Sequence, residues 1–591
     1  MPKITINAKT LEVPPGTTVL DAAMEAGYRI PTLCHVAGRA ALGACRVCVV
    51  EIGGYPRLQA ACSTPVAEGM EIQTNSPQVR EARRTVMELL LSEHQGLCTI
   101  CDRDEDCELR KIAGTLGIQE TPYEGARASM VLDESTAALY RNTGKCIKCR
   151  RCVSVCHEMQ GVGALFPQGR GFDTLIGPAF SSPLAEVVCV QCGQCAAACP
   201  VGAIGERQQI DAVWRALSDP STHVVVQTAP AIRAALGECF GYPPGTVVTG
   251  KMVAALRRLG FDAIFDTNFT ADLTIMEEGS ELLSRLRTVL ADHQEAALPL
   301  FTSCSPGWIN YAETFFPEIL PNISSCKSPQ QMFGALAKTY YADKIGVDPA
   351  KMVVVSVMPC TAKKAEAERP EMRSSGYQDV DHVLTTRELA LMIKTIGLDF
   401  RGLPDEAMDA PFGISTGAAD IFANSGGVME AALRTAWELV TGRELPGENL
   451  HVTQVAGLTG VKEASLVLTG LLPDWSFLEG VQLSVAVAHG LGNARNLVEA
   501  IQRGERRYHF VEIMTCPGGC IGGGGQPRVT TDDVRRARME AIFREDEGKE
   551  HRKSHENPYV QALYKEFLGE PLGHKSHQLL HTTYGLSAAR V

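Results

Sequence analysis

Cysteine dominates the chemistry this chain could do. There are 21 cysteines, and 15 of them fall between Cys34 and Cys199. The run Cys146-x2-Cys149-x2-Cys152-x3-Cys156 recurs as Cys189-x2-Cys192-x2-Cys195-x3-Cys199, followed by Pro200. Such a run sets three thiolates around one cubane and lends its last to the neighbouring one. One 4Fe–4S cluster is therefore expected on Cys146, Cys149, Cys152 and Cys199, and a second on Cys156, Cys189, Cys192 and Cys195. Two zinc knuckles are the alternative, but zinc takes four ligands, usually as two pairs, and has no need of the x2-x2-x3 run.

Two further groups precede these. His94-x3-Cys98-x2-Cys101-x5-Cys107 brings four soft or borderline ligands into 14 residues. Zinc or a 4Fe–4S cluster with one histidine ligand would fit, and the two ferredoxin-type runs beside it favour iron. If His94 is only a helix surface residue, one corner is unfilled, so His94 is kept as a ligand. Cys34-x10-Cys45-x2-Cys48-x13-Cys62 suits a 2Fe–2S cluster, although its spacing departs from the plant type, and buried core thiols are the alternative. Gly43 allows close backbone approach there. Four such clusters form an electron wire, which needs a consumer or source of electrons at its far end.

The elements that must position these residues read as several domains. At roughly 150 residues per domain, 591 residues make about four. KITINAKTLEV alternates like a strand pair, and TVLDAAMEAG has the Thr cap and terminal Gly of a short helix. VREARRTVMELLLSEHQ reads as a helix leading into the second cysteine group. From about residue 211, apolar runs (HVVVQTAP, LPLFTSC, MVVVSVMPC, LSVAVAHG, HFVEIMTC) alternate with helical stretches, an α/β pattern with parallel sheets. Beyond Gly525 the chain turns polar and is expected to wrap the surface as helices. Acidic residues number 68 and basic 56, a net charge of −12 that argues against binding nucleic acid through phosphates. No apolar run reaches 18 residues, and MPKITINAKT carries no secretory or twin-arginine signal, so no membrane span and a cytoplasmic location are expected.

In the second half no GxGxxG follows a strand and opens a helix, which speaks against a dinucleotide site. Cys304, Cys360 and Cys516 each sit just after an apolar run, with Cys520 four residues on. Sites in doubly wound sheets lie beyond the carboxyl ends of strands, so these thiols could converge on a buried iron–sulfur centre. Each alone would read as a core thiol.

TSCSPGW (302–308), MPCTAKKAE (358–366) and EIMTCPGGCIGG (512–523) resemble the three signature motifs of iron-only (FeFe) hydrogenases, and the resemblance extends over nearly the whole chain. It is closest to clostridial-type enzymes and to catalytic subunits of NAD(P)-linked hydrogenase complexes. It implies an H-cluster: a cubane joined through one cysteine to a diiron unit with CO, cyanide and a dithiolate. By motif match Cys520 bridges, and Cys360 and Cys516 hold the cubane. The family's first motif usually has two adjacent cysteines, the first a proton donor and the second a cubane ligand. Here they are Cys304 and Ser305. Either Ser305 is the ligand and Cys304 keeps the acid role, or the loop shifts and Cys304 becomes the ligand; a thiolate suits iron better than a serine oxygen. Glu278, Glu281 and Ser324 match the family's proton relay, with Cys304 at its inner end. Lys363 matches a lysine that binds a cyanide. Pro230, Gln330, Met358, Phe422 and Met514 match the pocket lining. Without the resemblance the two glutamates would read as a solvated helix face, and Cys326 reads as a core residue.

The expected architecture is multidomain α/β and α+β: a 2Fe–2S ferredoxin-type sheet domain (1–78), a 4Fe–4S domain with one histidine and three cysteine ligands (79–130), a two-cluster 4Fe–4S ferredoxin domain (131–210), a two-lobed α/β H-cluster catalytic domain with parallel sheets (211–525) and a helical, small-subunit-like tail (526–591). The expected function is reversible H2 oxidation and proton reduction, with electrons relayed through one 2Fe–2S and three accessory 4Fe–4S clusters. Ferredoxin or flavin- and NAD(P)-binding partner subunits would exchange those electrons, and H-cluster maturation proteins would load the site. Two other classes compete. A formate dehydrogenase or NADH-dehydrogenase subunit shares the N-terminal cluster plan but not the second half. An H2 sensor or iron–sulfur assembly protein would keep only the cubane, and Ser305 gives that reading its weight.

Overall fold

The computed structural model describes residues 1–585 apart from 97, 125, 126, 128, 448, 449, 453, 454 and 529; the end of the expected tail, 586–591, lies outside the described residues. The N-terminal strands Lys3–Ile6 and Lys9–Glu12 form the expected hairpin, with Asn7 left-handed in its turn. They edge a mixed five-stranded sheet covered by the helix Val19–Glu25. Thr18 caps that helix by accepting from the Asp21 N–H. Ser76 caps the long helix Pro77–Glu93, which delivers the chain to His94.

The two ferredoxin-type runs carry their repeat into the backbone. Lys148 and Gln191 are left-handed, and so are Arg150 and Gly193, at equivalent places after the first and second cysteines of each run. Three of these four are not glycine, a strain that surrounding structure must hold in place. One apolar core unites Cys34 and Cys45 with Cys107, Cys149, Cys152 and Cys199, so the cluster-bearing segments pack as one body.

Beyond residue 210 the chain builds two four-stranded sheets. The first has the order Ala263–Asp266, His223–Thr228, Met352–Met358, His382–Thr385, and every pair is parallel. The second has the order Leu300–Phe301, Phe510–Met514, Gln482–His489, Val461–Val467. Its last strand runs antiparallel to its neighbour, so the expectation of parallel sheets is corrected there: the second sheet is mixed. From Glu463 on, that edge strand alternates exposed with half-buried residues, as a strand with one wet face does. All five apolar runs singled out in the sequence are strands.

Between the two sheets lies the helix Thr267–Leu290, capped by Asp266. It is buried on most of its circumference, the mark of a core helix and not of an amphipathic surface one. The tail is helical, as expected: Asp532–Glu547, Pro558–Leu563 and His574–Leu580 wrap back over the catalytic lobes. Asn557 ties it down by donating to Asp272 on the central helix at 2.9 Å.

Candidate active site

Four strands of the two sheets end at one place. Pro230 follows the strand His223–Thr228, Cys360 follows Met352–Met358, Cys304 follows Leu300–Phe301, and Cys516 follows Phe510–Met514. Together they line one cavity. Every residue expected to hold or line the catalytic centre borders it: Pro230, Cys304, Ser305, Gln330, Met358, Cys360, Lys363, Phe422, Met514, Cys516 and Cys520. Apart from Lys363, the walls are thiols, small hydroxyls, one amide, prolines, glycines and apolar side chains, which suits a cofactor that must stay dry.

Within the cavity the adjacent Cys304 and Ser305 face different neighbours. Ser305 Oγ lies 2.8 Å from the Thr515 hydroxyl and accepts from the Thr515 N–H at 3.3 Å, which puts it beside Cys516. Burial pushes the Cys304 thiol up, the charge of Glu278 adds to that rise, and the charge of Lys363 opposes it. Cys360 and Cys520 in turn face Cys516. The donor set therefore divides. Cys360, Cys516, Cys520 and Ser305 gather on one side, three thiols and one hydroxyl, chemistry that fits a cubane. Of the charges acting on Cys304, that of Glu278 is the strongest.

Lys363 donates to Glu366 at 2.9 Å and to the Cys304 carbonyl at 3.1 Å. Glu366 also accepts from Gln330 at 3.0 Å and from Ser328 at 2.9 Å. The sequence reading missed Glu366, although its position three residues after Lys363 on one helix face was a usable signal. It also missed Thr515, for which the sequence offers none.

Behind Cys304 the central helix supplies the two expected glutamates. Glu278 is buried and neither of its oxygens has a hydrogen-bond partner, although the Ser324 hydroxyl and the Ser303 N–H face it. Burial, reinforced by the charge of Glu281, pushes its carboxyl up to about 8. Glu281 accepts from Ser324 at 2.8 Å and from Arg285 at 2.7 Å. Cys304, Glu278, Ser324 and Glu281 thus form a row from the cavity outward, and the solvated-face alternative fails because both glutamates are buried.

The thiols of the two ferredoxin-type runs and of the first group lie among one another. Cys152 faces Cys149, Cys146 and Cys199, while Cys195 faces Cys189 and Cys156, and Cys192 faces Cys195 and Cys156. Cys34 contacts Cys45 and Cys62, and Cys48 contacts Cys62. In the third group Cys107 faces Cys101, and Cys98 is exposed. The buried His94 Nδ1 has no partner there. Cys192 also faces Cys516, joining the wire to the cavity. Glycines make that junction close: a Cβ on Gly524 would collide with the Cys192 carbonyl, and one on Gly193 with Thr361 Oγ1.

Comparison with known proteins agrees with this plan. The model of the iron-only hydrogenase large subunit, C-terminal domain, matches residues 222–524, and that of the iron hydrogenase small subunit matches 532–586. A 2Fe–2S cluster binding domain matches 2–77, the NADH-ubiquinone oxidoreductase-G iron–sulfur binding region 83–122, and a 4Fe–4S dicluster domain 145–203. The chain is 52% identical over 587 residues to the NADP-reducing hydrogenase subunit HndD of Solidesulfovibrio fructosivorans, covering 98% of each. It is 39% identical to iron hydrogenase 1 of Clostridium pasteurianum, over 99% of this chain and 100% of that one. The structure of a variant of the apo [FeFe]-hydrogenase HydA1 from Chlamydomonas reinhardtii superimposes with a TM-score of 0.58 at 44% identity, covering 65% of this chain and 100% of that one. No helix among the described residues is long and apolar enough to cross a membrane. A matched catalytic half excludes the formate-dehydrogenase and NADH-dehydrogenase alternative, and the chain belongs to the iron-only hydrogenase family, as an oxidoreductase acting on H2 with 2Fe–2S and 4Fe–4S domains ahead of its catalytic domain.

Proposed function

We propose that the cavity between the sheets holds the H-cluster, with Cys360, Cys516, Cys520 and Ser305 on the cubane, Cys520 as the bridge to the diiron unit, and Cys304 as the proton donor. The observation that carries this reading is the difference in surroundings: Ser305 bonds Thr515, next to Cys516, whereas the strongest charge acting on Cys304 is that of Glu278. When bound, that centre supplies the iron at which H2 is cleaved or formed. The protein's own residues do the rest. Cys304 passes a proton to Glu278, which Ser324 links to Glu281. Glu278 suits this task because a carboxyl held near the working pH both gives and takes a proton. Lys363 places a buried positive charge beside the cavity, and Met358, Phe422 and Met514 keep it dry.

In this reading electrons travel through one 2Fe–2S cluster on Cys34, Cys45, Cys48 and Cys62, and three 4Fe–4S clusters on the histidine-containing group and the two interleaved sets. The same reading divides the chain at the boundaries expected from the sequence. The redox partner is a set of flavin- and NAD(P)-binding subunits in the cytoplasm, favoured over ferredoxin by the relative named as an NADP-reducing hydrogenase subunit. Dedicated maturation proteins load the catalytic centre.

The test is an infrared spectrum of protein matured anaerobically, in the window of metal-bound CO and cyanide stretches, on the wild type and on Ser305→Ala and Cys304→Ser. Wild type and Cys304→Ser should show the bands, and Cys304→Ser should lose turnover. Ser305→Ala should weaken retention of the centre. Loss of the bands in Cys304→Ser with retention in Ser305→Ala would reverse the two assignments.

A further inference from the structure

A second constellation, outside the cavity, has the dimensions of a single-ion site. Glu281 on the central helix, Cys326 ahead of the helix Pro329–Leu336, and His581 on the tail each bring one ligand atom, all within 4.8 Å of one another, and all three residues are buried. Cys326 and His581 are held side by side by an isolated antiparallel bridge. Among the described residues only one other group is as compact, Glu430 with His451 and Asp546. That group is already neutralised, because Arg434 pairs with Glu430 and Asp546, and Arg552 with Asp546.

The Glu281 group carries one such pair, Arg285 with Oε1 of Glu281 at 2.7 Å, and no cation among the described residues donates to Oε2, which accepts from the hydroxyls of Ser324 at 2.8 Å and Ser325 at 3.4 Å and from the Ser325 N–H at 3.2 Å. The Cys326 sulfur is faced by three carboxylates, Glu281, Glu278 and Glu277. His581 is oriented from behind: its Nε2 bonds Glu277 at 3.0 Å, and its Nδ1 lies 2.8 Å from Ser325 Oγ. A carboxylate on the far nitrogen is what fixes the tautomer of a metal-ligating imidazole. His577, exposed on the same tail helix, has its ring 4.3 Å from that of His581 and offers a route in.

We propose that Glu281, Cys326 and His581 form a site for one thiophilic divalent cation, of which Zn²⁺ matches the sulfur, nitrogen and oxygen donor set. Zinc bonds of about 2.0–2.3 Å set tetrahedral ligand atoms roughly 3.5 Å apart, so a modest closure of the three side chains completes the shell. Ser325 Oγ or a water takes the fourth position. The cation occupies Oε2 of Glu281, the oxygen that Ser324 bonds, and so interrupts the row from Cys304 outward. This inhibitory consequence rests on the reading of Glu281 as a proton relay; binding itself does not.

The test uses the matured, reduced holoenzyme titrated anaerobically with Zn²⁺, read by zinc-edge X-ray absorption and by H2 turnover. The wild type should take up one tightly held zinc with a single sulfur neighbour at about 2.3 Å and nitrogen or oxygen neighbours at about 2.0 Å. Turnover should fall with the same midpoint and return on adding EDTA. Cys326→Ala should keep its metal-free turnover, lose the sulfur shell and bind at least tenfold more weakly. His581→Gln, which can still bond Ser325, guards against a folding defect and should weaken binding equally. An unchanged sulfur shell and midpoint in Cys326→Ala would place the zinc at other cysteines and overturn the proposal. Zinc bound with the expected shell but without inhibition would uphold the site and overturn the relay role of Glu281.

Discussion

Glu277 and Glu278 are consecutive on one helix and both are buried, yet the fold treats them in opposite ways. Burial pushes the Glu277 carboxyl up, but donors from His581, Ser576, Tyr564 and the Leu572 N–H outweigh it and hold the group below its ordinary value. Tyr564 donates at 2.5 Å, the Leu572 N–H at 2.9 Å, and Ser576 also donates to it. Glu278 has no such set, and burial with the charge of Glu281 raises it to about 8. A step of about 100° around the helix thus separates a carboxylate fixed in its charged form from one poised to exchange a proton. Burial alone does not decide which carboxyl can exchange a proton; the number of donors around it does.

The contrast makes graded predictions. Glu278→Gln keeps the shape and removes the proton, so H2 turnover should drop by about 10²–10⁴-fold with the infrared bands intact. Glu277→Gln should leave turnover within a few-fold; an equal loss there, in folded protein, would erase the distinction. Ser324→Ala severs the link between Glu278 and Glu281 and should cost about tenfold in turnover, the equivalent of one hydrogen bond. A water able to replace the hydroxyl would show as no loss at all. Glu277→Gln should instead cost about 1–3 kcal/mol of stability by leaving its donors unmatched, read as a lower melting temperature and faster proteolysis of the tail.

The smallest effect is in the pH dependence of stability. A raised carboxyl binds its proton more tightly folded than unfolded, so its contribution is present at low pH and is lost as pH rises from 4.5 to about 8. Glu278→Gln should flatten the fall in melting temperature over that window. Glu277 has the opposite sign: its contribution is present above the ordinary carboxyl value and fades as pH falls below it. If both variants shift the same limb of the curve, the assignment of opposite shifts is wrong.

What the sequence disclosed followed the range of the interaction. The residues proposed for the accessory clusters lie in runs of 11 to 29 residues, so spacing alone was enough to propose their sets, even the two interleaved ones. The cavity was legible because cysteines close apolar strands, and strand ends converge in this class of sheet. The antiparallel edge Val461–Val467 was not, since nothing in its own residues states its direction. Nor was the partnership of Ser305 with Thr515, 210 residues away, or of Cys326 with His581. Cys326 was read as core and is core, fully enclosed; its other possibility depends on the tail, which only the fold brings there.

The hold on Glu277 sets a timetable for the ribosome. The side chains that bond it, Tyr564 and His581, are made 287 and 304 residues after it. At about 5–20 residues per second, that is an interval of roughly 15–60 seconds in which the central helix exists without the groups that satisfy its buried carboxylate. Through that interval the two lobes cannot close in their final form around it. The helix His574–Leu580 and the residues flanking it therefore act as a latch on the central helix, one that the nascent catalytic domain lacks until the tail has been made.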